Sequence, residues 1–97
     1  MSGPAQTAPS RDLLLANHDF PCAYVIKAFG PNNDAFRSGI VASAVTVLSE
    51  SHVTTSERTT KNGRQICVTL TLRARTVEDV EAVYAGIYDV EDLRLIF

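Results

Sequence analysis

Residues 65–75 read QICVTLTLRAR, a segment in which aliphatic and polar side chains alternate without a break. One side of the segment carries Ile66, Val68, Leu70, Leu72 and Ala74, and the other carries Cys67, Thr69, Thr71, Arg73 and Arg75. Strict alternation over this length is typical of a β-strand that has one face on a hydrophobic core. We therefore expect a half-buried strand whose aliphatic side packs beneath helices.

The segments around this strand show similar periodicities. Asn62-Gly63, directly before it, is a strong hairpin signal because both residues tolerate positive φ. Thr76 followed by Asp79 resembles a capping box at the start of a helix. The other predicted elements are a strand at Phe20–Phe29, a helix at Asp34–Ser49, a threonine-rich edge strand at Val53–Lys61 and a final strand at Val90–Phe97.

The order of these elements is strand, helix, strand, strand, helix, strand. Because strand–helix–strand units cross over right-handed, both helices should lie on one face of the sheet. We therefore predict an α+β, ferredoxin-like βαββαβ two-layer sandwich, in which an antiparallel four-stranded sheet of order 4-1-3-2 carries two helices on one face. Residues 19–97 would form this single domain. Residues 1–18 are predicted to be a flexible N-terminal tail, with disorder over the first ten residues, and Leu13–Leu15 either dock on the domain as a short turn or stay free for a partner.

The face of the sheet away from the helices is predicted to be an open surface. Alternation places on it Ala23, Val25, Lys27, Thr54, Ser56, Arg58, Thr69, Thr71, Arg73, Arg94 and Ile96. Such a mixture of apolar and basic side chains fits a sheet-to-sheet homodimer or an acidic protein partner. We predict that the partner-binding residues are Lys27, Arg58, Arg73 and Arg94. The edge strand at residues 53–60 could also add a strand from a second chain.

Composition and residue spacing argue against several other functions. Cys22 and Cys67 have neither disulfide-framework nor zinc spacing, and His18 and His52 have no ligand pattern nearby. With no credible nucleophile–base pair either, we expect no enzymatic activity, no metal and no cofactor. A net charge of −2 and the absence of an aromatic from the open side of residues 65–75 disfavour nucleic acid as a partner. The apolar run Leu13–Ala16 is too short for a signal peptide or a membrane span, so we expect a cytoplasmic protein with no membrane partner.

Residues 19–97 resemble a family of small bacterial proteins of unknown function, the DUF493 or YbeD-like proteins. The segments that carry the resemblance are Asp19–Pro21, Ile26–Gly30, Ser56–Gly63, Val68–Leu70, Val80–Tyr84 and Val90–Phe97. The sequence departs from relatives that have an aromatic after the hairpin glycine, since Arg64-Gln65-Ile66 follows here. The resemblance implies a βαββαβ fold similar to ACT-type regulatory domains, which bind amino acids, and it implies no catalytic residues.

The similarity to ACT-type domains also suggests a small-molecule site. Those domains use the loop between the first strand and the first helix, where a glycine lets a ligand approach backbone amides at a helix N-terminus. Gly30, Asn32 and Asn33 occupy that place here, so they are the predicted ligand-binding residues for an amino acid or another anion. The alternative is that Gly30-Pro31 turns the chain and an asparagine caps the helix.

Overall fold

The computed structural model describes residues 8–97. Its α-helices are α1 (Arg11–Asn17), α2 (Asp34–Leu48) and α3 (Val77–Tyr88), and a short 3-10 helix lies at Glu50–His52. Its strands are β1 (Cys22–Pro31), β2 (Val53–Thr59), β3 (Gln65–Ala74) and β4 (Leu95–Ile96). Within the described residues there are thus three α-helices, one more than predicted.

The strands form one antiparallel sheet in the order β2-β3-β1-β4, which is β4-β1-β3-β2 when read from the opposite edge. β1 and β3 pair along their whole length, from Cys22 opposite Ala74 to Pro31 opposite Gln65. The hairpin at Asn62-Gly63 joins β2 to β3 as predicted, but only Gly63 has a positive φ, +73°, and its N–H donates to the Thr60 carbonyl oxygen at 2.9 Å, so the loop is longer than a two-residue turn. The predicted α+β class and the four-stranded antiparallel sheet are therefore confirmed.

One face of this sheet forms the hydrophobic core together with α2 and α3. The predicted aliphatic side of β3 is buried from Ile66 to Ala74, and Tyr24, Ile26 and Ala28 are buried beside it on β1. The helices close the layer with Phe36, Ile40, Ala44 and Leu48 from α2 and with Val77, Val80, Val83, Tyr84 and Ile87 from α3. The alternation in residues 65–75 thus predicted the buried face correctly.

Helix α1 lies within the segment that sequence analysis assigned to the N-terminal tail. The Ser10 side chain caps it by accepting a hydrogen bond from the Leu13 backbone N–H, and Leu14 is buried in the core at 2% exposure. Arg11 pairs with Glu78 and Glu81 of α3. The leucine run therefore docks on the domain. The predicted disorder of the first ten residues falls largely on residues 1–7, which lie outside the described residues.

The last strand differs from the prediction in length and in the side that it buries. β4 covers only Leu95–Ile96, and Ile96 lies opposite Ala28 with 1% exposure. The prediction that Ile96 lies on the open face is therefore wrong, because its register places it beside a core residue of β1. Leu95, opposite Phe29, takes the open side instead. Within residues 8–97, none of the helices is both long enough and apolar enough to cross a membrane.

Candidate functional site

The open face of the sheet is the surface that α2 and α3 leave uncovered. Its residues, which follow from the pairing register, are Ala23, Val25, Lys27 and Phe29 of β1, Thr54, Ser56 and Arg58 of β2, Gln65, Cys67, Thr69, Thr71 and Arg73 of β3, and Leu95 with the adjoining Phe97. Three of the four predicted partner-binding residues, Lys27, Arg58 and Arg73, therefore share one face. None of the open-face residues just named is acidic, so this surface is positive although the chain carries a net charge of −2.

The three cations are spread over three adjacent strands. Arg58 lies opposite Cys67, which in turn lies opposite Phe29, while Arg73 lies opposite Ala23 near the other end of the face. Lys27 sits between these rows, and its Nζ donates to Thr69 Oγ1 at 3.4 Å. Because both arginines are exposed, they can meet carboxylates of a partner without first leaving a buried ion pair.

Arg94, the fourth predicted partner-binding residue, lies at the end of the face rather than within it. Its backbone N–H donates to the Phe29 carbonyl oxygen at 2.9 Å. Its side chain reaches Gln65: with the Gln65 amide oriented to satisfy both neighbours, its oxygen accepts from Arg94 Nη1 at 3.2 Å and its nitrogen donates to the Gly30 carbonyl oxygen at 3.1 Å. Arg94 thus extends the positive surface across the ends of β1 and β3.

Beside the cations, the open face carries an apolar patch, of which sequence analysis placed only Val25 on this face. The patch consists of Val25, Phe29, Leu95 and Phe97. The rings of Phe29 and Phe97 meet edge to face with centroids 5.8 Å apart, and Val25 and Phe97 are 50% and 48% exposed. Phe29 has the same parity as Lys27, so the alternation of β1 already contained the signal for its position. The outward position of Phe97 depended on the register of β4.

The predicted ligand loop is occupied by contacts within the protein. A Cβ placed on Gly30 would lie 2.4 Å from Cε1 of the buried Phe36 ring, so Gly30 makes room for a core side chain. The Asn33 side chain caps α2 by accepting from the Phe36 backbone N–H at 2.8 Å. Asn32 donates through Nδ2 to the Gly63 carbonyl oxygen at 2.8 Å and accepts from Arg37 Nη1 at 2.6 Å. Each of the three residues therefore has a structural role in this structure.

The cysteines and histidines belong to different segments of the fold, although Cys22 and His52 line a common cavity. Cys22, opposite Ala74, lies on the side of β1 that faces the core, and Cys67, opposite Phe29, lies on the open face. His18 packs against the Tyr24 ring at 4.9 Å between centroids, and His52 contacts the Ser49 and Ser51 hydroxyl groups. Within the part of the chain that the structure describes, no group of three or more His, Cys, Asp or Glu side chains could hold a metal ion.

The shifted pKa values belong to groups that hold the fold together. Hydrogen bonds from the Arg75 side chain lower the pKa of Asp79, and Asp79 accepts from both Nε and Nη2 of Arg75, at 3.0 and 3.1 Å. Burial raises the pKa of the Tyr84 hydroxyl, which lies 3.0 Å from the Tyr24 hydroxyl in the core. Asp79 thus stabilises the start of α3, and Tyr84 stabilises the contact between α3 and β1. These groups with shifted pKa values do not meet in one cleft, as those of an active site would.

Comparison with protein families identifies the family of this chain. A family model described as "Protein of unknown function (DUF493)" matches residues 16–97, which cover every strand of the sheet and helices α2 and α3. No curated protein matches the chain.

Proposed function

Because the chain belongs to the DUF493 family, whose function is unknown, we propose that it is a non-enzymatic binding domain that recognises a protein partner through the open face of its sheet. In this proposal the protein works in the cytoplasm as a small regulatory or adaptor protein. The strand order and the position of α2 and α3 on one face support a ferredoxin-like, ACT-like classification.

The observation that carries the proposal is the combination of the apolar patch with unopposed positive charge. Val25 and Phe97 expose about half of their surface, and Arg58 and Arg73 lie on the same face with no acid among the open-face residues. Protein interfaces commonly combine an apolar, aromatic centre with a charged rim that steers and orients the partner. The expected partner therefore presents carboxylates around an apolar contact.

The proposal is tested by reversing charge on the face and, separately, at a matched place away from it. The test variant is R58E/R73E, and the control is K61E/R64E, which makes the same change of net charge at the exposed β2–β3 hairpin. Proteins retained from the native lysate are identified, and the strongest candidate is purified and titrated against all three forms. We expect R58E/R73E to weaken its binding at least about tenfold, and we expect added salt to weaken binding to the wild type.

Two results would contradict the proposal. Equal binding by R58E/R73E and by the wild type would show that the open face takes no part in the interaction. Equal weakening by R58E/R73E and by K61E/R64E would show that binding responds only to net charge. A homodimer is the second possible use of the same face, and sedimentation equilibrium distinguishes it, because R58E/R73E would then change the mass of the particle.

The ACT-like ligand site at Gly30, Asn32 and Asn33 stays a prediction with its own test. Since a side chain at residue 30 would collide with Phe36, a variant there tests packing rather than binding. Asn33→Asp is the better probe, because aspartate keeps the cap on α2 while it adds negative charge. A metabolite that raises the melting temperature of the wild type but not of N33D would support the loop as an anion site, whereas a panel that shifts neither protein would count against it.

A further inference from the structure

We propose a second binding surface, at the outer edge of β2, where an extended basic segment of another protein adds to the sheet as a fifth strand. The surface comprises the free edge of β2 and the groove between that strand and α2. It lies on the helix side of the sheet, so it is separate from the open face.

The register of β2 shows which of its backbone groups are free to pair. Thr60 N–H donates to the Gln65 carbonyl oxygen at 3.0 Å, in line with the pairing of Val53–Thr59 with β3. Hydrogen-bonded and non-hydrogen-bonded pairs alternate along an antiparallel ladder. The N–H and C=O groups of Thr55 and Glu57, which belong to the non-hydrogen-bonded pairs, therefore point away from β3 toward the edge.

The groove beside this edge would receive alternate side chains of the added strand. It has a volume of about 690 Å³, and its lining includes Val41 and Val45 of α2 and Val53, Thr55 and Glu57 of β2. In a sheet, each residue lies about 4.8 Å from the residue opposite it on the neighbouring strand, and the two side chains point to the same side of the sheet. Side chains opposite Thr55 and Glu57 would therefore rest on Val41 and Val45, which favours apolar residues at every second position of the segment.

The charges along the groove decide the chemistry of the rest of the segment. Glu50 and Glu57 both line it. Arg37, the cation on its wall, is already paired with the Asp34 carboxylate and with Asn32. Neither glutamate carboxylate has an ion pair among residues 8–97, which favours a segment with lysine or arginine between or beside its apolar residues.

The same charges disfavour a second copy of this chain as the occupant. If two β2 strands paired antiparallel about Ser56, the middle of the strand, the Glu57 side chains of the two copies would lie diagonal to each other on the same side of the sheet. Diagonal neighbours lie about 7–8 Å apart, within reach of long side chains, so the two carboxylates would repel each other. A basic segment of a different protein has no such repulsion.

The test uses a displayed library of random peptides selected on the wild-type protein, followed by titration of the enriched peptides. We expect enriched sequences with alternating apolar residues and a surplus of Lys and Arg. Thr55→Pro removes an outward N–H that the sheet does not use, which an edge strand tolerates, and Thr55→Ala keeps that N–H. We expect T55P to bind the peptides at least about tenfold more weakly than T55A, with both folded by circular dichroism.

Three results would overturn the proposal: no enrichment, acidic consensus sequences, or equal binding by T55P and T55A. Charge supplies an independent readout, because E50K/E57K should lose the basic peptides and select acidic ones. A control on the open face has to leave the charge unchanged, so we use V25A/F97A, which trims two half-exposed apolar side chains of that face. V25A/F97A should bind the selected peptides like the wild type. Loss of peptide binding in that variant would assign the peptides to the open face and would remove the edge of β2 from the interaction.

Discussion

Replacing Gly30 by alanine should destabilise the protein through one collision in the core. The added Cβ would lie 2.4 Å from Cε1 and 2.5 Å from Cζ of Phe36, where ordinary van der Waals contacts begin at 3.4 Å. The ring must therefore move by about 1 Å or more. Phe36 is 2% exposed and packs among other core residues, so its movement displaces neighbours as well.

The expected magnitude follows from two opposing effects. Overpacking a close-packed core costs about 1–3 kcal/mol, and a collision this short belongs toward the upper end. Replacing glycine by alanine in a strand returns about 0.5–1 kcal/mol, because the unfolded chain loses freedom. We expect G30A to lower the free energy of unfolding by about 2 kcal/mol, which for a domain of this size lowers the melting temperature by roughly 8–16 °C.

A double-mutant cycle with Phe36→Leu identifies the cause. Urea denaturation is measured for wild type, G30A, F36L and G30A/F36L, with the slopes compared to confirm two-state unfolding. If the collision is responsible, adding G30A to the F36L protein should cost close to nothing, and the coupling energy should be about 2 kcal/mol. An unchanged midpoint for G30A, or an equal loss in both backgrounds, would refute the packing role of Gly30 and reopen the case for a role in ligand binding.

Three further predictions concern the remaining structural contacts. Leu14→Ala should lower the unfolding free energy by about 2 kcal/mol or more and expose α1 to limited proteolysis, whereas Leu13→Ala, at a side chain 56% exposed, should change neither; equal effects would contradict the docking of α1. Asn33→Ala should cost about 1 kcal/mol in a urea titration through loss of the α2 cap, and Asn33→Asp should retain the stability. The Arg75 side chain lowers the pKa of Asp79 in the folded protein. The pairing of Asp79 with Arg75 therefore stabilises the fold fully above pH 3.8, the ordinary pKa of the aspartate, and this stabilisation disappears as the pH falls through the lower pKa of the folded state. Wild type should therefore exceed Asp79→Asn in melting temperature at neutral pH and converge with it in acid, and a constant difference across that range would contradict the pairing.

Local patterns were sufficient wherever one buried face dominated a segment. The alternation in residues 65–75 predicted β3 and its core side, because a shift by one residue would have moved five aliphatic side chains into water. Thr76 and Asn33 were recognisable as caps, and each accepts the expected backbone hydrogen bond, from Asp79 and Phe36 respectively. The Asn62-Gly63 turn fixed the pairing of β2 with β3.

In short segments, the sequence pattern predicted the wrong buried face or did not predict the element. In β4 the hydrophobic side Leu93, Leu95 and Phe97 outweighs Ile96, yet pairing with β1 buries Ile96, and only two residues of strand are present to establish the pattern. Helix α1 spans two turns and buries a single leucine, so its periodicity was too weak to separate a helix from a turn. The groove beside β2 could not be foreseen, because it depends on how far α2 extends across the edge of the sheet.

The link between Asn32 and the β2–β3 turn limits where this protein can be engineered. Exposed hairpin tips are ordinarily the safest places to insert a tag or a reporter domain. Here Asn32 donates from its side chain to Gly63 and from its backbone to Arg64, so the turn is fastened to the beginning of α2. An insert at residues 62–63 would pull on that helix and on the Arg37 contact behind it. A fluorophore placed at the same tip would, for the same reason, report on fraying at the start of α2.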